Sequence, residues 1–171
     1  MARGIPFLGG EPTQKDQLDG LRAEGFNDAD LAFDAVLGWL SQSLRSKEVP
    51  DTSLASLSDI YPELVSAVRN QTGLEAPPLV EFRRRYEDLY GTDIVGDPQF
   101  PLRIDIGDST AHGRRNVAGM MIRDRHILGV IEEQLSQRGS VLVVYGGSHW
   151  STLSAALEAR LGKPKITPFL K

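Results

Sequence analysis

The stretch "SVLVVYGGSHWSTLSAALEARLG", Ser140 to Gly162, decides how the chain is read. An unbroken apolar run, Val141 to Tyr145, stops at Gly146-Gly147, passes through Ser148, His149 and Trp150, and gives way to a helical pattern. The run is short and rich in β-branched residues, so it predicts a buried strand followed by a helix. Near the other end, "GIPFLGGEPTQKDQLDGLRAEGF" repeats the order: a short apolar strand over Ile5–Leu8, Gly9-Gly10, a polar residue (Glu11) and a helix start, where Thr13 and Asp16 form a capping box. Two strands that each lead into a helix predict an α/β fold. We expect a small parallel or mixed sheet flanked by helices, with a mainly helical middle insertion.

In such folds ligands collect beyond the carboxyl ends of strands, where helix N-termini point their free N–H groups. Glu11 and His149 would both stand there, and Gly10, Gly146, Gly147 and Ser148 would let a ligand approach the backbone. A histidine and a glutamate converging from two strands could bind a divalent metal, or act as base and orienting group on a water. Singly, each has a plainer reading: a capping histidine, and a first-turn acid favoured by the helix dipole.

Between these ends, apolar spacing predicts helices over 28–45, 60–70, 79–90 and 114–137, with a polar connection over 46–59 and a turn-rich segment over 91–113. Leu102, Ile104 and Ile106 alternate there as a short strand would. In the long helix Val117, Met121, Leu128, Ile131 and Leu135 form one stripe, and Asp124 lies within it. An aspartate on a buried face needs a partner, and Arg123, Arg125 or another arginine could supply one.

The chain has 171 residues, enough for one domain, 1–171, with a full core. Its formal net charge is −4, and its densest basic cluster, Arg83–Arg85, shares a segment with Glu81, Glu87 and Asp88, so nucleic acid is a poor candidate partner. There is no cysteine, which excludes disulfides, thiolate metal sites and a cysteine nucleophile. No run reaches the ~20 apolar residues of a membrane span, and no secretory signal opens the sequence; a cytoplasmic location is the expectation. "GGSHW" has Trp150 where a serine nucleophile elbow needs glycine. Asp105, Asp108 and His112 could be a metal cluster, or ordinary loop composition.

The segment "IRDRHILGVIEEQLSQRGSVLVVYGGSHWSTLSAALEARLG" resembles the C-terminal core of the TraB/PrgY/GumN and Tiki group, which is related more distantly to ChaN and the erythromycin esterases. Arg123-Asp124 matches the family's pair at a helix start, Gly146 with His149 matches its Gly-x-x-His, and Glu11 with Gln17 resembles its middle strand end. The resemblance implies a metal-dependent hydrolase-like domain acting on peptide or ester bonds, with His149, Glu11, Arg123 and Asp124 in one catalytic pocket. His149 and Glu11 would then be ligands to Mn, Co or Zn. It equally allows a non-catalytic domain that binds or sequesters a peptide or haem. The family's first half carries a second Gly-x-x-His motif, and this sequence has none. The expected site is therefore incomplete, with a homodimer or the family's N-terminal half as possible partner.

Overall fold

Local capping chemistry punctuates the chain. In the computed structural model, which describes residues 8–100, 110–145 and 147–165 (backbone only for 147–150), the regular elements are helices: α1 (Gln14–Ala23), α2 (Asp28–Arg45), α3 (Leu54–Thr72), α4 (Leu79–Tyr90), α5 (Ala111–Arg138) and α6 (Gly147–Leu161). The side chains of Thr13, Asn27 and Ser53 accept hydrogen bonds from the backbone N–H groups of Asp16, Asp30 and Ser56, satisfying donors that a helix start leaves open. Gly73 and Gly91 end α3 and α4 at φ 71° and 72°, a left-handed turn that side chains resist. Ser53 also corrects a boundary. The polar stretch read as a connection as far as Asp59 becomes helical from Leu54, because the serine cap starts α3 well before Pro62.

The chain packs as two compact units, 13–120 and the combination of 1–12 with 121–171. In the first, α2 packs on α3 and α3 on α1. Phe33, Val36, Leu37 and Leu40 of α2 are almost wholly buried, with Leu57 and Val68 of α3 and Phe82 and Tyr86 of α4. The Phe82 ring lies 5.2 Å from Phe33 and 5.3 Å from Tyr61, and Tyr86 stands edge-on to Phe100 at 5.8 Å. Such tilted pairs add to the area these rings bury. In the second unit Ile127, Ile131 and Leu153 form the core, with Leu128, Leu135, Tyr145 and Leu157 packed partly buried around them.

The expected α/β fold is overturned: among the described residues there is no strand and no sheet. Val141–Tyr145, the apolar run read as a buried strand, has no regular secondary structure, and Leu142 and Val144 are 89% and 83% exposed. A strand exists only by pairing its backbone N–H and C=O groups with another strand; β-branched composition gives a preference that tertiary neighbours must realise. Leu8, the last residue of the first expected strand, is likewise exposed and irregular. Residues 5–7, and the alternation of Leu102, Ile104 and Ile106, lie outside the described residues. Among the described residues no helix is long and apolar enough to cross a membrane.

Candidate functional site

Glu11 follows Gly9-Gly10 in an irregular segment, and Arg123 lies on α5, 112 residues later. Arg123 donates from Nε to Glu11 Oε2 at 2.9 Å and from Nη2 to Oε1 at 2.8 Å, so the guanidinium grips the carboxylate as a fork. The pair is about half open to solvent, with side-chain exposures of 36% and 46%. Arg123 holds its proton more tightly than an isolated guanidinium, chiefly through the Glu11 hydrogen bonds, with the Glu11 and Asp124 charges adding to the effect.

Asp124 is half-buried instead of buried. The predicted stripe explains why: its N-terminal members Val117 and Met121 are 37% and 57% exposed, and only beyond Asp124 does α5 turn apolar residues inward, at Ile127 and Ile131. Gly10 lies against Tyr145, whose phenol is pushed up first by burial and then by the Glu11 charge, with Arg123 opposing. Of the expected site residues, Glu11, Arg123, Asp124 and Gly10 thus share one neighbourhood. Gly147 opens α6 and His149 falls in its first turn, but Gly146 and the side chains of Ser148 and His149 lie outside the described residues.

The other unit holds a polar cluster that periodicity alone does not reveal. His112, 2% exposed, and Arg115, 6% exposed, occupy the first turns of α5 and meet Asp34 of α2. His112 Nδ1 lies 2.8 Å from Asp34 Oδ1, Arg115 Nη2 donates to that oxygen at 2.8 Å, and Arg115 Nε donates to Oδ2. Asn116 Nδ2 lies 2.9 Å from His112 Nε2, which fits a histidine carrying its proton on Nδ1. These contacts tie α2 to α5. The cluster's available signal was the spacing of His112, Arg115 and Asn116 (i, i+3, i+4), which puts them on one helical face. Read as part of a loop, His112 concealed that face. Asp105 and Asp108, its suggested metal partners, lie outside the described residues.

The arginine run of α4 is engaged by acids. Arg83 pairs with Asp93, Arg84 with Glu81 and Asp88, and Arg85 with Glu81. Glu81 is held down at about 2, first by the Arg84 hydrogen bonds. Near the N-terminus of α3 a cleft is bordered by Asp51 and Asp97, and both carboxylates already serve the fold. Asp51 receives the Ser53 N–H and the Ser56 hydroxyl, and Asp97 receives the Tyr86 hydroxyl and the Gln99 N–H.

Among the described residues no group of three or more His, Asp or Glu side chains is placed to hold a metal ion. No protein-family model, curated protein or solved structure matches the chain.

Proposed function

We propose that Glu11, Arg123 and Asp124, with the first turn of α6 that carries His149, form the working site of a hydrolase-like domain of the TraB/Tiki type acting on peptide or ester bonds. The observation that carries the proposal is the Glu11–Arg123 fork, which joins two residues singled out separately from opposite ends of the sequence. The proposal rests on these site residues and not on the fold, since the described residues are helical where the resemblance implies a sheet.

A divalent metal, when bound, would polarise a carbonyl or lower the pKa of a bound water; His149 and Glu11 would be its protein ligands. The chain's own residues have narrower tasks. Arg123 fixes the orientation of the Glu11 carboxylate and supplies a fixed positive charge facing solvent, suited to an anionic or carbonyl oxygen.

One observation favours a second reading, a non-catalytic domain that binds a peptide. Arg123 already claims both oxygens of Glu11, so a metal there would have to compete with a guanidinium for the same carboxylate. Metal analysis separates the two readings. On the first, protein purified without chelator carries stoichiometric Mn, Co or Zn, and His149→Ala abolishes it. Metal-free protein whose thermal midpoint does not move on adding Mn²⁺ or Zn²⁺ would sink the first reading and leave the second.

A further inference from the structure

We infer that Tyr145 is a positioning residue of the Glu11–Arg123 site: it holds the Gly10–Glu11 backbone at the place where the Glu11 carboxylate meets the Arg123 fork. Its functional meaning rests on the site proposed above; its geometry does not.

Tyr145 has two ends in two settings. Its side chain packs against the Ile127, Ile131 and Leu153 cluster, so the position of the ring is fixed by the core of its unit. Its hydroxyl reaches Gly10. A methyl group at Gly10 would lie 2.1 Å from the phenol oxygen and 3.1 Å from Cζ, closer than non-bonded atoms approach, so only glycine admits the ring end-on. The residue bonded to Gly10 is Glu11, and both oxygens of Glu11 are taken by Arg123.

Contacts therefore run without a break from the Ile127–Ile131–Leu153 core, through the phenol and the Gly10 backbone, to the carboxylate and its guanidinium. An aromatic residue with an apolar body and a polar tip suits this position. Phenylalanine would fill the core equally well but would bring only its ring edge, without the hydroxyl, toward Gly10, and a tyrosine here is explained by what its hydroxyl holds in place. Gly9, by contrast, has open space where its side chain would be, so the close approach is specific to Gly10.

The Arg123 Nε–H reports on the arrangement, because it donates to Glu11 at 2.9 Å. In ¹⁵N-labelled protein its resonance is assigned by its loss in Arg123→Lys, and its exchange with water is measured. Glu11→Gln defines the rate for the disrupted pair. Tyr145→Phe is expected to raise the exchange rate about tenfold, the equivalent of losing one charge-assisted hydrogen bond, while leaving the thermal midpoint at the wild-type value. Gly10→Ala, which displaces the same contact from its other side, is expected to raise it similarly. A Tyr145→Phe protein whose Arg123 Nε–H exchanges at the wild-type rate overturns the positioning role, whatever Gly10→Ala does. If Glu11→Gln itself leaves that rate unchanged, the fork is not populated in solution, and the proposed site falls together with the inference.

Discussion

The two units of this chain use their helices very differently. Residues 13–120 bury aromatic and aliphatic side chains from four helices and hold several ion pairs; residues 121–171 with 1–12 gather a core around Ile127, Ile131 and Leu153 and leave Leu142, Val143 and Val144 in solvent. The contrast teaches that apolar content does not make a core. "VLVVY" is the most apolar run in the sequence, yet it contributes little burial, whereas α4, half of whose residues are charged, anchors the larger unit through Phe82 and Tyr86. Burial depends on a facing surface of matching shape, and stabilisation follows the area removed from water.

The largest expected effect tests the better-packed unit. Phe82→Ala removes a wholly buried ring that touches Phe33 and Tyr61, and should cost about 3–5 kcal/mol of stability in denaturant unfolding followed by circular dichroism. A cost below about 1 kcal/mol would show that this core is no tighter than the other.

Asp34→Ala comes next. It removes the nearer carboxylate partner of the buried Arg115 charge, leaving Asp30 at 3.5 Å, takes the carboxylate from His112 Nδ1, and should destabilise by about 3 kcal/mol. Asp34→Asn keeps one acceptor and should cost less. Equal effects from the two variants would mean that charge is irrelevant to the cluster.

Acid should also separate the units. Asp19, Asp28, Asp51, Glu81 and Asp93 are all held below the usual carboxylate range, led by side-chain hydrogen bonds from Lys15, Arg22, Ser53, Arg84 and Arg83 respectively, and all five lie within 13–120. Because folding lowers their pKa values, on acidification the unfolded chain takes up protons first. Their contribution is complete above the ordinary values, 3.8 for Asp and 4.5 for Glu, and fades as pH falls toward about 2, where Glu81 titrates. Hydrogen exchange measured by mass spectrometry between pH 5 and 2.5, corrected for intrinsic rates, should show protection in α2–α4 falling over that window. These groups are exposed, so the loss should be gradual and reduced by salt.

The smallest effect is the most diagnostic for the weaker unit. Leu142→Ser should change stability by no more than about 0.5 kcal/mol, because the side chain is already in water. A loss of about 2 kcal/mol or more would mean that Leu142 is covered in solution, and that the run pairs with something as its composition suggests.

How far the site could be read from residues follows the same line. Glu11 and Asp124 could be picked out because each breaks its local pattern, an acid after a glycine pair and an acid within an apolar stripe, whereas Arg123 entered as a candidate partner of Asp124 and through the family resemblance. Nothing in their spacing fixed the fork, which depends on where a segment near the N-terminus meets α5. Tyr145 read as the last apolar residue of a strand, and its role emerges only from the contact with Gly10.

What the sequence determined by itself is what a few neighbouring residues can enforce. Thr13, Asn27 and Ser53 cap the N–H three residues onward, Gly73 and Gly91 turn the chain out of a helix, and the apolar spacing of 79–90 marks α4 from Leu79 to Tyr90. These interactions span one turn, and no distant partner can withhold them. Whether Val141–Tyr145 is a strand, whether α5 turns Val117 or His112 inward, and which carboxylate meets Arg123 were decided by tertiary structure. A strand needs another strand's hydrogen bonds, a buried histidine and arginine need Asp34 from another helix, and an ion pair needs both partners brought within about 3 Å.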